Sequence, residues 1–152
     1  YGNMFYVLLV SQYPTVAQFD DETVQAIMEE ALKYEGWTYV YGGDSPSTSF
    51  DCSGLVQWCY GKAGIALPRT AQEQYNVTQH IPLSEAKAGD LVFFHSTYNA
   101  GTYITHVGLY VGNNRMYHAG NPHWLCRPDR LLLATAPCRS PTNQTIRKDE
   151  PI

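Results

Sequence analysis

Phe50-Asp51-Cys52-Ser53-Gly54-Leu55 and Thr105-His106-Val107-Gly108-Leu109-Tyr110-Val111-Gly112 are the two stretches on which the fold turns. In the first, Leu55, Val56 and Cys59 recur at helical spacing, predicting a helix from near Cys52 to about Lys62, ended by Gly64. The second alternates as a strand, and Arg115 to His118 reads as its return across Gly112-Asn113-Asn114. Leu91-Val92-Phe93-Phe94, just after Gly89-Asp90, is a compact buried strand. Upstream, Val24, Ile27, Met28, Ala31 and Leu32 mark a first helix, with Asp20 as N-cap, Phe19 and Val24 as a hydrophobic staple and Gly36 as the stop. Between them lie an extended piece at Trp37 to Tyr41 and a polar surface loop from Asp44 to Ser49; a helical turn over Thr70 to Tyr75 follows the second helix. Helices first and an antiparallel sheet second predict an α+β fold, not a doubly wound α/β one.

The chain has 152 residues, 16% of them charged and 13% aromatic, including 12 tyrosines. That is one domain's worth of a globular composition, able to bury a core without disulfide staples. A net charge of -4 gives no reason to expect nucleic acid or an anionic membrane as partner. No apolar run reaches the length of a membrane span, and Met4 to Val10 lacks the flanks of a signal peptide. Cys52 and Cys59 lie two helical turns apart, too far to bridge, and the absence of C-x-x-C argues against structural zinc or thioredoxin-like chemistry. Cys59 reads as a small buried apolar residue.

Cys52 begins its helix, where unpaired backbone N–H groups and the dipole's positive end favour thiolate over thiol and lower the pKa. The same N–H groups can stabilise an oxyanion forming on an attacked carbonyl. A histidine in reach, His106, would take the thiol proton and later protonate the leaving amine. Gly112 lies midway between His106 and His118, so a hairpin turning there sets the two side chains opposite each other on one face, with His118 orienting the ring of His106. Other readings stay open: a core cysteine on a helix, an ordinary strand histidine, or a metal site of His106, His118 and His95. His80 and His123 fall in loops and carry no assigned role.

Several segments together resemble the NlpC/p60 family of papain-like cell-wall cysteine peptidases. They are Tyr39-Val40-Tyr41-Gly42-Gly43, Phe50 to Val56, Leu67-Pro68-Arg69-Thr70, Gly89 to Phe94, His106 to Gly112 and Tyr117-His118-Ala119. The resemblance implies a reduced papain-like fold, N-terminal helices packed on an antiparallel β-sheet, in a bacterial protein that is secreted or associated with the wall. It implies hydrolysis of the γ-D-glutamyl–diamino acid amide in peptidoglycan stem peptides, with no metal or cofactor. Cys52 would be nucleophile, His106 base, His118 the third residue and Tyr39 an oxyanion-side donor. Tyr41, Asp51, Ser53 and Arg69 would line the substrate cleft, although Asp51 reads equally as a helix cap and Arg69 as a tie for its loop. A papain-like N-acetylmuramoyl-L-alanine amidase, an acyltransferase, and a catalytically inactive wall-binding module are the alternatives.

The domain itself is expected over residues 20–122. Residues 1–19 resemble the connector after a lysozyme-like domain, and Tyr1 without an initiator methionine reads as a piece of a longer protein or a mature form. Residues 123–152 show no strand alternation and carry Cys126 and Cys138. The codons for His123 through Cys138, shifted by one base, can spell a segment closer to a closing strand. The tail therefore reads as frameshifted, leaving the sheet with an unpaired edge.

Overall fold

In the computed structural model, residues 5–7, 21–95, 101–112, 115–120 and 131–136 are described. Strand β1 (Phe5–Val7) is followed by helix α1 (Glu22–Leu32), the short strands β2 (Asp44–Ser45) and β3 (Ser49–Phe50), and helices α2 (Cys52–Lys62) and α3 (Ala71–Val77). Then come β4 (Gln79–Ile81), a 3-10 turn at Leu83–Glu85, β5 (Leu91–His95), β6 (Ile104–Gly112), β7 (Arg115–Ala119) and β8 (Leu131–Ala136). The main sheet has the order β1-β7-β6-β5-β8-β4 with every pair antiparallel, and β2 and β3 form a separate hairpin. Helices ahead of an antiparallel sheet make this the α+β architecture that the order of patterns predicts.

Alternation along the strands divides the interior in two. Leu91, Phe93, Val107, Leu109, Val111 and Tyr117 join Val24, Ile27, Met28 and Ala31 of α1 and Leu55, Val56 and Cys59 of α2 in the main core. The intervening residues Val92, Phe94, Tyr110 and Met116 form a second cluster, covered by Ile81, Leu83 and Ala86. Both faces of β5 are thus closed, which is why its sequence is a continuous apolar run instead of an alternating one.

Four expectations need correction. The N-cap of α1 is Asp21, whose side chain accepts from the backbone N–H groups of Thr23 and Val24; the cap sits one residue later than expected, so the staple spacing drawn from Asp20 does not apply, and Phe19 lies outside the described residues. The loop from Asp44 to Ser49 is the β2–β3 hairpin. His80 sits on β4, not in a loop: it is buried, stacked on Tyr75 at a centroid distance of 3.9 Å, with Nε2 2.8 Å from the Tyr75 carbonyl. Finally, both chain ends contribute strands. Residues Phe5–Val7, expected as linker, pair with β7, and Leu131–Ala136, expected to lack a strand, lie between β5 and β4. The run Leu131-Leu132-Leu133 has no period-2 alternation to detect. The last strand, expected to be missing from the sheet, is thus supplied by Leu131–Ala136. His123, Cys126, Cys138 and the Gly112-Asn113-Asn114 turn beyond Gly112 fall outside the described residues.

The helices are locked to each other by one carboxylate. Glu30 of α1 is buried and accepts from Tyr34 Oη at 2.5 Å, Trp58 Nε1 of α2 at 2.9 Å and Lys33 Nζ at 2.8 Å. Burial pushes its pKa up, but these donors outweigh burial and hold it at about 2, against an ordinary 4.5. Because the folded pKa lies below the unfolded one, the stabilisation is full above about 4.5 and is lost as pH falls through about 2. Glu30→Gln should cost about 2 kcal/mol in urea denaturation at pH 7, the scale of hydrogen bonds to a charged group. The difference from wild type should shrink steadily as the pH of the measurement is lowered from 4.5 towards 2.

Candidate active site

The site is built around the first turn of α2. Asp51 is its N-cap: Oδ1 accepts from Gly54 N at 2.7 Å, and Oδ2 from Gly42 N at 3.0 Å. Arg69 closes on the same carboxylate with two bonds, Nη1 to Oδ1 at 3.0 Å and Nη2 to Oδ2 at 2.7 Å, and also donates to Ser53 Oγ and the Gly43 carbonyl. The two expected readings of Asp51 and Arg69 thus separate in geometry. The carboxylate is capped and paired within the protein, and Arg69 ties the segment after α2 to the helix start. The Gly42-Gly43 backbone presses on that helix so closely that a Cβ at Gly54 would lie 2.1 Å from the Gly43 oxygen, so only glycine fits there.

Cys52 is the first residue of α2 and is buried at 8% exposure. The backbone amides of Ser53 and of Val107, on β6, act to lower its pKa. Cys52 and Val107 share the main core, so α2 packs on β6 at the residue that follows the expected histidine. Gln74 of α3 supports the same turn, donating to the carbonyls of Ser53 and Pro68 at 3.0 and 2.9 Å. No motif marks Gln74 in the sequence; its 0% exposure in a helix that is otherwise half polar is what reveals it.

His106 Nε2 and His118 Nδ1 lie 3.2 Å apart, the rings edge to face, with both residues buried. The two rings share a face as expected, but they are not directly opposite. The β6–β7 ladder pairs Leu109 with Tyr117 and Tyr110 with Met116, with an irregularity before Gly112. Continued, it sets His118 across from Gly108 and His106 across from Gly120, so the contact is diagonal. Past the irregularity the ladder is centred one residue later than a hairpin symmetric about Gly112, which moves the register by two and keeps side chains on the same face.

The electrostatics reverse one expectation. Burial and the Asp51 charge push the Cys52 thiol up to about 12, while the Val107 and Ser53 amides and Arg69 pull it down without prevailing. Burial holds His106 down at about 3 against a small upward pull from Asp51, and pushes His118 well below its usual range, with His106 acting in the same direction. Desolvation thus outweighs the helix dipole, and burial holds the thiol and both imidazoles in their neutral forms.

Of the other expected residues, Tyr39 is half-buried and bridges to Phe50, Tyr41 is 81% exposed beside Gly42, and Ser53 is buried with its hydroxyl between Asp51 and Arg69. His95 is stacked on Tyr103 and does not contribute to the His106–His118 contact as drawn by these bonds. Among the described residues no group of three or more His, Cys, Asp or Glu is arranged to hold a metal, Cys52 and Cys59 are free thiols, and no helix is long and apolar enough to cross a membrane.

This helix-on-sheet arrangement is that of a known family. The model of the NlpC/P60 family matches residues 36–128, well over half the chain, and the protein belongs to that family. The bifunctional muramidase/DL-endopeptidase CwlT of Bacillus subtilis is 61% identical over 97 residues, 64% of this chain and 29% of that protein. The gamma-DL-glutamyl hydrolase of the same organism is 46% identical over 131 residues, covering 83% of this chain and 31% of the relative. Among solved structures, a Staphylococcus aureus protein described as similar to lipoprotein, of the NLP/P60 family, superposes with a TM-score of 0.71 at 60% identity, over 84% of this chain and 44% of that one. The chain therefore spans about a third of the length of these curated relatives. The neighbours' family fixes the fold as papain-like.

A neutral resting thiol has a measurable signature. Carbamidomethylation of the free protein, followed by mass at the Cys52 peptide, should be slow at pH 7. Its rate should rise about tenfold per pH unit towards about 12, because only the thiolate reacts. A plateau already reached near neutral pH would mean a preformed thiolate instead.

Proposed function

We propose that this chain is a cysteine peptidase of the bacterial cell wall that hydrolyses the γ-D-glutamyl–diamino acid amide of peptidoglycan stem peptides. Cys52 is the nucleophile, His106 its general base and His118 the residue that orients the base. The observation that carries the reading is the junction of α2 and β6. There the buried sulfur at a helix N-terminus packs in one core with Val107, the residue that follows His106, and His106 in turn contacts a second buried imidazole.

The chemistry follows from those contacts. Nε2 of His106 is turned to His118, and Nδ1 is the nitrogen assigned to take the thiol proton. Since the pair rests neutral, the thiolate forms as the sulfur attacks, when the substrate carbonyl is in place. The new S–C bond forms as the carbonyl π electrons move to oxygen, where N–H groups at the α2 N-terminus, with Tyr39 beside them, stabilise the oxyanion. His106 then gives its proton to the leaving amine, and water releases the acyl group by the reverse sequence. Tyr41, exposed at the rim, and Ser53 line the cleft. Asp51 and Arg69 act there chiefly by shape and charge, because their hydrogen-bonding groups are already engaged with each other. The names of the B. subtilis relatives, a DL-endopeptidase and a gamma-DL-glutamyl hydrolase, support this bond class. The same relatives support a wall-associated location, and the bifunctional one supports a lysozyme-like domain in the full-length protein, with residues 20–122 as the peptidase unit.

Purified peptidoglycan incubated with the protein should release fragments whose masses report a cut between glutamate and the diamino acid. A cut between muramic acid and L-alanine would instead make it an amidase, and unchanged wall affinity without turnover would make it a binding module. Cys52→Ala should lower turnover by roughly 10³-fold or more while the domain stays folded by circular dichroism. His106→Ala should cost about 10²- to 10⁴-fold, and His118→Asn only about tenfold, because an amide can supply part of the orientation. Equal losses from the two histidine variants would remove the division of roles.

A further inference from the structure

The diagonal contact between His106 and His118 needs space that neither histidine provides. A Cβ at Gly120 would lie 2.8 Å from Cε1 of His106 and 2.9 Å from Nδ1 of His118. These are separations that real Cβ atoms essentially never show, and the neighbours are not flexible chain ends. Both rings are buried, at 2% and 1% exposure, and His106 also packs against the Phe94 ring. Across the sheet, a Cβ at Gly108 would lie 3.1 Å from Cβ of His118 and 3.1 Å from Sδ of Met116. Neither glycine has a positive φ, so the backbone would accept any residue at either position. What excludes a side chain at Gly120 is the imidazole pair itself. At Gly108 the crowding is milder, because the Met116 thioether can move aside.

The geometry points to Gly120, seconded by Gly108, as a positioning residue: the two form a cradle without side chains that lets the rings of His106 and His118 meet across a diagonal of the sheet. In a directly opposed pair the ladder alone brings side chains together. In a diagonal pair the Cβ atoms are further apart, and the rings must lean over the intervening rung. Here the residues of those rungs, Gly120 beside His106 and Gly108 beside His118, have nothing to obstruct the lean. Adding one methyl group at Gly120 therefore displaces one ring or both and lengthens the 3.2 Å contact that sets the tautomer of His106.

This inference rests on the roles proposed for the two histidines, and the test separates the two. Gly120→Ala should lower kcat on a stem-peptide substrate by on the order of ten- to a hundredfold, the scale of a misplaced catalytic group, with KM little changed. The imidazole nitrogen signals of His106 and His118 in NMR spectra of the free protein should shift, a readout independent of turnover. Gly108→Ala should produce the same pattern more weakly. Gly61→Ala is the control, since a Cβ there meets nothing within 4 Å, and it should leave both rate and spectra unchanged. The penalty of Gly120→Ala should shrink in the His118→Asn background, where one of the two crowded rings is gone.

Gly120→Ala behaving like Gly61→Ala in rate and spectra, while His118→Asn and His106→Ala retain their expected losses, overturns the cradle alone. A Gly120→Ala protein that cannot fold, together with a Gly108→Ala protein of wild-type rate and spectra, overturns it as well. If His118→Asn and His106→Ala themselves leave kcat untouched, the proposed function fails instead.

Discussion

A single carboxylate organises the catalytic end of this molecule. Asp51 caps the α2 N-terminus through Gly54, holds the Gly42 turn, and is gripped on both oxygens by Arg69. Because Arg69 also reaches Ser53 and Gly43, three segments separate in sequence are fastened at one point: the Gly-Gly turn, the start of α2 around Cys52 and the Leu67 to Thr70 stretch. Removing either charge would leave the other poorly solvated next to the thiol, a heavier loss than any surface pair could cause. The Asp51 charge opposes thiolate formation more than the Arg69 charge favours it, so the ion pair leaves a net field against the thiolate at the sulfur.

Desolvation governs the site. The dominant influence on Cys52, His106 and His118 is removal from water, and each is held in its neutral form. A buried neutral thiol is shielded from adventitious alkylation and oxidation, which act on thiolates. In the proposed mechanism, charge separation waits for the substrate carbonyl and takes place where few solvent dipoles must reorient.

Much of this was legible in the sequence, for identifiable reasons. The helix beginning at Cys52 and the strand through His106 follow strong local periodicities, and the Asp51 cap and the shared face of His106 and His118 follow from spacing parity alone. The misses have physical causes. The cap of α1 shifted from Asp20 to Asp21 because adjacent aspartates are equivalent to a pattern argument. The histidines turned out diagonal because the register irregularity between Tyr110 and Gly112 leaves no trace in hydropathy. The thiol was expected acidified because the helix dipole is visible in a sequence and burial depth is not. Strand β8 was missed because a strand interior to the sheet reads as an apolar run, and β4 because its three residues are too few to show a period. Gln74 and Gly120 act through close contacts between distant segments, which no one-dimensional pattern encodes.

The position of β8 ties the order of synthesis to the order of assembly. It inserts between β5 and β4, whose own residues precede it by dozens of positions, so neither neighbour has its partner until the chain past Ala136 has been made. During translation the two helices and the β5–β6–β7 meander can collapse first, being local, while β5 keeps a bare flank. For that interval a nascent chain would present a hydrophobic, unpaired backbone beside the future reaction centre. Chaperones that hold nascent chains would find their natural target there.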